Sequence, residues 1–324
     1  MKFILEANQL IKKYGDFTAV KGIDFSLKAG EIFGFLGPNG AGKTTTINML
    51  TGLARITAGR ATLAGYDLRR QMKQAQQFMG IVPDESNLYE ELDGFENLCF
   101  CGALYGMEGK KREERARQLL EEFGLEEAGK KKFKAYSKGM KRKLTIAAGI
   151  IHEPRILFLD EPTSGIDVAS ARQIRKLIKD LNRKGTTIFL TTHYIEEAER
   201  LCDRIAIIVG GKIVRTGSVA GLIEEVQQER IVQFTLAQGS LLNLREETEK
   251  AFPGFRTEIL SANTLRIHSP REIDLMPFMR FFAARGLKVT EARLLRPSLE
   301  EAFVRLTGLE LAEMKKEKEG GGKK

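Results

Sequence analysis

Three segments near the start of the chain differ in apolar pattern in a way that predicts a strand, a loop and a helix. Residues 32–36 read IFGFL, an apolar run with the length and aromatic content of a buried strand. A glycine-rich segment follows at residues 37–44, and Ile47, Leu50 and Leu53 then recur at helical spacing. The predicted order is strand, glycine loop, helix.

Strand-like patterns continue on both sides of this unit. Residues 2–28 carry short strand-like pieces separated by polar or glycine turns, which favours an antiparallel β layer. Residues 155–159, 186–192 and 204–209 are apolar or β-branched runs typical of buried strands. Residues 170–183 repeat apolar side chains on one helical face. We therefore predict an α/β domain with a parallel sheet.

The pattern changes twice along the chain. Residues 92–125 are helical in spacing and rich in charge, which predicts a helical insertion at about residues 86–150. The first domain is expected to span residues 1–220. Strand-like and helical stretches alternate in residues 221–309 and predict a small α+β accessory domain, whereas residues 310–324 form a charged tail expected to be disordered.

Composition narrows the class of protein. The chain has 324 residues, of which 42% are apolar and 29% charged, so it is globular and longer than one average domain. Three cysteines without ligand spacing argue against disulfides and structural zinc and favour a reducing cytosol. The chain shows no signal-peptide pattern and no apolar run long enough to cross a bilayer, so we expect any membrane-spanning part to belong to another chain.

The net charge of +9 indicates an anionic partner, such as a nucleotide, a nucleic acid or an acidic membrane face. Composition does not choose among these partners.

The glycine-rich segment has the spacing of a phosphate-binding loop, Gly37-x-x-x-x-Gly42-Lys43-Thr44. Glycines allow successive backbone N–H groups to surround an anion at the positive end of the following helix. We expect Lys43 to reach the β- and γ-phosphates and Thr44 to ligate Mg²⁺ through its hydroxyl. The ligands predicted for the nucleotide are consecutive residues: Gly37, Pro38, Asn39, Gly40, Ala41, Gly42, Lys43, Thr44 and Thr45.

Two carboxylates follow the strand that ends near residue 159. Asp160 is expected to hold the Mg²⁺ that Thr44 ligates, because both residues lie at the same end of a parallel sheet. Glu161 is then placed to orient or deprotonate the attacking water. His193 follows another strand at the same edge, where α/β sheets bind ligands, and we predict a functional role for it as well.

Two further segments have weaker signals. Tyr14, at the tip of a polar turn, is either an adenine-stacking aromatic or a half-buried tyrosine at a strand end. Ser137 is a candidate N-cap, and Gly139 allows close approach of an anion to the helix start. Taken alone, this second pattern is equally typical of an ordinary helix cap.

With these motifs in place, residues 1–220 resemble the ATP-binding subunits of ABC transporters, and the predicted fold is a P-loop NTPase with an ABC-type antiparallel β layer and helical insertion. GPNGAGKTT resembles the family's Walker A loop, ILFLDEP its Walker B strand, and the segment ending at Asp167 its D-loop. Tyr14 matches the adenine-stacking aromatic and His193 the switch histidine. The resemblance implies that Ser137 and Gly139 act on ATP bound to a second copy.

The chain departs from the family at two motifs. Lys138 and Met140 replace a glycine and a glutamine of the signature sequence, which leaves room for an altered dimer affinity. Asp84 occupies the position of the Q-loop glutamine, and we expect it to reach Mg²⁺ through water.

The resemblance implies a homodimer or pseudo-dimer of ATP-binding domains that uses ATP and Mg²⁺ at the cytoplasmic face of the cell membrane. Residues 296–308 resemble the accessory region of exporters of drugs, antibiotics or lipids. The predicted partner is therefore a separate integral-membrane permease, with no nucleic acid. Two alternatives stay open: a soluble ATPase of the same type acting on nucleic acid or ribosomes, and a regulatory nucleotide-binding module without turnover.

Overall fold

The computed structural model describes residues 3–227, 229–237, 244–295 and 297–309. Within these ranges the chain divides into two compact units, one formed by residues 3–219 and 306–309 and the other by residues 220–305. The predicted tail at residues 310–324 lies outside the described residues. Within the described ranges, no helix combines the length and apolar character that a bilayer crossing requires.

The first unit contains an antiparallel sheet with the strand order β2-β1-β4-β5. Its strands are β1 (Phe3–Tyr14), β2 (Phe17–Lys28), β4 (Ala58–Leu63) and β5 (Tyr66–Asp67). The short pieces predicted within residues 2–28 are thus two long strands, whose register is interrupted by bulges. They form one hairpin, in which Tyr14 pairs with Phe17 across the turn.

A six-stranded sheet carries the apolar runs, in the order β10-β9-β3-β8-β7-β6. The strands are β3 (Ile32–Leu36), β6 (Met79–Val82), β7 (Ile156–Asp160), β8 (Thr187–Thr192), β9 (Arg204–Val209) and β10 (Lys212–Ser218). Only β10 runs antiparallel to its neighbour, and every residue of β3, β7 and β8 is buried. Burial on both faces explains why these strands lack the alternation of apolar and polar residues.

Phenylalanines fill the core of this unit. Phe25 of β2 lies 4.9 Å from Phe35 and 6.0 Å from Phe189, measured between ring centroids. Phe33 and Phe158 extend the same cluster. The antiparallel and parallel sheets therefore share one aromatic core.

Helices of the first unit connect the strands and form the predicted insertion. The helices next to the strands are α1 (Lys43–Thr51), α2 (Met72–Gln76), α6 (Val168–Arg183) and α7 (Ile195–Leu201). The segment between β6 and β7 contains α3 (Gly94–Leu104), α4 (Gly109–Glu122), a short 3₁₀ helix (Phe133–Ala135) and α5 (Lys138–Ile150). Asp93 and Glu96 begin α3 with a reciprocal capping box.

The second unit is a four-stranded antiparallel sheet with helices. Its elements are α8 (Val219–Val226), β11 (Arg230–Leu236), α9 (Leu244–Ala251), β12 (Arg256–Ser261), β13 (Thr264–Ser269), α10 (Leu275–Ala283), β14 (Val289–Leu295) and α11 (Leu299–Thr307). The strand order β12-β13-β11-β14 and the β-α-β-β-α-β sequence are those of a split βαβ fold. Phe234, Phe278 and Phe282 are fully buried in its core.

Candidate functional site

The parallel sheet brings the predicted catalytic residues together at the carboxyl ends of its central strands. Strands β3, β8 and β7 are neighbours, so the loop after β3, His193 after β8 and Glu161 after β7 lie at one edge. A pocket of about 320 Å³ lies there. It is lined by Tyr14, Phe17, Ala19, Asn39, Gly40, Gly42, Lys43, Thr44, Thr45, Asp84, Glu161, Ser164 and His193.

Two glycines of the loop are required by close backbone packing. A Cβ atom at Gly37 would lie 2.1 Å from the carbonyl oxygen of Ile208. Gly42 has a φ of +100° and forms the N-cap of α1, and a Cβ there would lie 2.8 Å from the carbonyl oxygen of Ala19. The loop is therefore held against β9 and β2 at its two ends, and the first N–H groups of α1 open the helix at the pocket.

Lys43 is the buried cation of the pocket. Its Nζ donates to the carbonyl oxygens of Gly37 and Pro38 at 2.8 and 3.0 Å, and it lies 3.3 Å from Oε1 of Glu161. Burial lowers the pKa of Lys43, and the negative charges of Glu161 and Asp160 oppose that shift. The lysine is thus fixed by its loop while its charge is directed at the two carboxylates.

The carboxylate of Glu161 contacts the side chains of Lys43 and His193. Its Oε2 lies 2.8 Å from Nδ1 of His193, whereas its other oxygen, Oε1, faces Lys43. Burial raises the pKa of Glu161, but the hydrogen bond to His193 and the charge of Lys43 outweigh it and lower the pKa below its ordinary value. The carboxylate is therefore ionised at neutral pH and able to accept a proton.

The backbone of Glu161 is held in an uncommon conformation. Its φ is +48°, in the left-handed region that non-glycine residues rarely adopt. The Glu161 N–H donates to the carbonyl oxygen of Thr191 at 3.1 Å, and also approaches its hydroxyl at 3.2 Å. Strand β8 thereby fixes the direction in which Glu161 leaves β7.

Three oxygen ligands predicted for Mg²⁺ lie in this region. Thr44 and Asp84 line the pocket, and Asp160 is buried beside it, where its carboxylate accepts a hydrogen bond from the Thr191 hydroxyl. Carboxylate and hydroxyl oxygens are the ligands that Mg²⁺ prefers, so this set fits the ion. Asp84 also lies 3.5 Å from Arg142, an ion pair that the sequence did not predict.

The tip of the β1–β2 hairpin forms one wall of the pocket. Tyr14 is 49% exposed, and Nζ of Lys12 lies 4.6 Å from the centre of its ring. Phe17, its partner across the hairpin turn, is 65% exposed and also lines the pocket. The sequence prediction missed Phe17, Ala19 and Ser164, although the position of Phe17 opposite Tyr14 across a tight turn was a usable signal.

Ser137, Gly139 and Asp167 do not line the pocket within one chain. Ser137 is the N-cap of α5, and its hydroxyl accepts a hydrogen bond from the Met140 N–H. Asp167 is the N-cap of α6, and its carboxylate accepts a hydrogen bond from the Ser170 N–H at 2.9 Å. A Cβ at Gly139 would lie 2.5 Å from the Ser170 hydroxyl. These residues thus form a second cluster at the starts of two neighbouring helices.

Known protein families and known proteins are similar to this chain. Residues 20–164 match the family model described as ABC transporter. The chain is 38% identical to the linearmycin resistance ATP-binding protein LnrL of Bacillus subtilis over 308 residues, covering 94% of this chain and 98% of that protein. It is 35% identical to the daunorubicin resistance ATP-binding protein DrrA2 of Streptomyces coeruleorubidus, covering 94% and 95%.

A solved structure has the same fold as the larger part of the chain. It is a dimeric ATP-binding cassette in a post-hydrolysis state bound to ADP and Pi, with a TM-score of 0.61 and 26% identity. The match covers 66% of this chain and 98% of that one. The predicted P-loop NTPase fold is confirmed.

Proposed function

The chain belongs to the ABC transporter family as an ATP-binding subunit that hydrolyses ATP, and we propose that it drives export of a drug-like, antibiotic or lipid molecule through a separate membrane permease. The ATPase part of the prediction is confirmed by the family. The observation that carries the proposed mechanism is the contact of one glutamate with both Lys43 and His193 at the edge of the parallel sheet.

We propose that the glycine loop binds the ATP phosphates and that Tyr14 stacks on the adenine. The loop offers backbone N–H groups at the start of α1, and the Lys43 ammonium is available to exchange its Gly37 and Pro38 carbonyl partners for phosphate oxygens. Tyr14 lies on the same pocket with its ring half exposed, as a stacking platform requires.

The proposed Mg²⁺ ligands are Thr44, Asp160 and Asp84, the last through water. When bound, the ion neutralises charge on the phosphate oxygens. Asp160 is held ready for such a role because the Thr191 hydroxyl fixes its carboxylate.

Glu161 is proposed as the base that accepts a proton from the attacking water. Its lowered pKa keeps it ionised, and Lys43 and His193 fix its two oxygens in separate directions. His193 positions Glu161 and is available to contact the γ-phosphate, and Lys43 stabilises the negative charge that develops on the phosphates.

The second cluster, at Ser137, Gly139 and Asp167, is proposed to act on ATP bound to another copy. These residues lie away from the pocket of their own chain, so a head-to-tail dimer would give each pocket the helix start that a single chain does not supply to it. A related cassette is dimeric with ADP and Pi bound, which supports a dimer of the ATP-binding domains.

Export is proposed from the relatives, which are named for resistance to linearmycin and daunorubicin and match nearly the whole chain, including the accessory unit. The proposed location is the cytoplasmic face of the membrane, where an ATP-binding subunit of this family would dock on its permease. The test is purification from native membranes in mild detergent. Co-purification of a multi-spanning protein that stimulates the ATPase supports the proposal, whereas recovery of ribosomes or nucleic acid alone contradicts it.

Replacement of Tyr14 by alanine is expected to weaken ATP binding about fivefold or more, because loss of stacking on one base costs about 1 kcal/mol or more. The kcat of the variant should change less than about twofold, since the proposed contact of Tyr14 is with the base and not with the phosphoryl group that reacts. Fluorescent-nucleotide titration and steady-state kinetics measure both quantities. Tyr14→Phe should bind normally, and Phe3→Ala, at the other end of β1, is the control. Unchanged affinity in Tyr14→Ala would exclude stacking.

A further inference from the structure

Arg142 is a buried arginine that the proposed mechanism does not use. It lies in α5, five residues after Ser137, and only 7% of it is exposed. A buried guanidinium is costly unless hydrogen-bond acceptors surround it. Its acceptors therefore indicate why the chain keeps a charge at this position.

Arg142 contacts two segments that flank the ATP pocket. Its Nη1 donates to the carbonyl oxygen of Pro83 at 2.6 Å, and Nη2 donates to the carbonyl oxygen of Asp84 at 2.5 Å. Nη2 also lies 3.5 Å from the carbonyl oxygen of Glu161 and from Oδ1 of Asp84. One planar group thus joins α5, the segment after β6 and the residue after β7.

These contacts complete the support of the Glu161 backbone. Thr191 of β8 binds the Glu161 N–H, and Arg142 approaches the carbonyl oxygen of the same residue. The left-handed conformation of Glu161 is costly for a residue with a side chain, so contacts on both peptide groups are needed to hold it. The direction of its carboxylate follows from that conformation.

Arg142 also faces several negative charges. Burial lowers the pKa of Arg142, and the carboxylates of Asp84, Asp160, Glu197 and Glu161 oppose that shift in that order. Arg142 therefore offsets the charge of these carboxylates without lining the pocket, whereas Lys43 offsets the charge of Glu161 and Asp160 as part of the pocket lining.

We infer that Arg142 is a positioning residue for ATP hydrolysis: by binding the carbonyl oxygens of Pro83, Asp84 and Glu161, it makes the orientation of Glu161 depend on the placement of α5 and of the Asp84 segment. This inference rests on the proposed role of Glu161 as the base. The hydrogen bonds of Arg142 to backbone carbonyl oxygens hold Glu161 in its orientation, and the ion pair with the Asp84 side chain contributes less.

The test compares Arg142→Gln, Arg142→Lys and Asp84→Asn in the full-length chain. In Arg142→Gln we expect kcat to fall about tenfold to a hundredfold while the Kd for ATP changes less than about threefold, because the phosphate contacts remain. Arg142→Lys restores part of kcat, since lysine keeps the charge but not the planar fork. Asp84→Asn keeps all three carbonyl acceptors and should lower kcat less than Arg142→Gln does.

The control for lost stability is Arg204→Gln. Arg204 pairs with Glu31 at 3.0 Å and donates to the Ser26 carbonyl oxygen, at the opposite end of the parallel strands. The Arg204→Gln variant should have a lower Tm than the wild-type chain and an unchanged kcat. The inference is overturned if Arg142→Gln lowers kcat and ATP affinity in parallel, or if its kcat is normal.

The role of Glu161 as the base is tested separately with Glu161→Gln. Normal turnover in that variant would exclude Glu161 as the base. The kinetics of the Arg142 variants would still show whether Arg142 affects turnover.

Discussion

Glu161→Gln is expected to bind ATP and to hydrolyse it at least a hundredfold more slowly than the wild-type chain. The amide preserves the shape of the side chain but cannot accept the proton of the attacking water, and general-base catalysis contributes about 10²–10⁴-fold. Because binding is retained without turnover, the variant should also accumulate as an ATP-bound dimer. Phosphate release and size-exclusion chromatography with ATP measure the two effects.

Glu153→Gln is a matched control for that variant. Glu153 also has a positive φ, of +56°, and it pairs with Arg115 at 3.8 Å, but it precedes β7 whereas Glu161 follows it. It should hydrolyse ATP at the wild-type rate and show no ATP-dependent dimer beyond that of the wild type. Wild-type turnover in Glu161→Gln would exclude Glu161 as the base.

Lys43→Met is expected to lose ATP affinity by at least tenfold and turnover by at least a hundredfold. The methionine fills a similar volume but leaves the phosphates without their buried cation, and hydrogen bonds to charged groups contribute about 1.5–3 kcal/mol. The carbonyl oxygens of Gly37 and Pro38 also lose their donor. Nucleotide titration and phosphate release measure both losses.

The control for Lys43→Met is Lys184→Ala, which removes an exposed ion pair with Glu122 at 3.3 Å and should leave both quantities unchanged. Arg serves as a second replacement at position 43. Its larger guanidinium does not fit the place of a compact ammonium, so turnover should remain low in Lys43→Arg. Normal ATP affinity in Lys43→Met would contradict the phosphate role of the lysine.

The fold class could be predicted from the sequence because the central strands are apolar and the glycine loop has fixed spacing. Elements with mixed composition were missed. Helix α9 has the sequence LREETEKA, with Leu244 and Thr248 as its buried residues, and most of the edge strand β12 is partly or fully exposed. Such elements are stabilised by their neighbours in the split βαβ fold, and their own patterns are weak.

The candidate site shows the same limit. The sequence could predict that Lys43, Glu161 and His193 lie at one site, because motifs and strand ends mark their positions. Arg142 could not be predicted there, because its partners are mostly backbone carbonyl oxygens, which have no sequence signature. The hydrogen bond between Thr191 and Asp160 likewise depends on the pairing of β7 with β8, which the sequence pattern does not specify.

Tyr14 ends a strand of the antiparallel sheet, whereas the glycine loop follows β3 of the six-stranded sheet. If Tyr14 binds the base of ATP and the glycine loop binds its phosphates, the bound nucleotide connects the two sheets non-covalently. At a concentration a hundred times its Kd, a ligand specific for the native state adds about 2.7 kcal/mol of stability. A lower ATP concentration in the cell would then leave more of the subunit without nucleotide. Because this form is less stable, proteases would degrade it faster, independently of any change in transport.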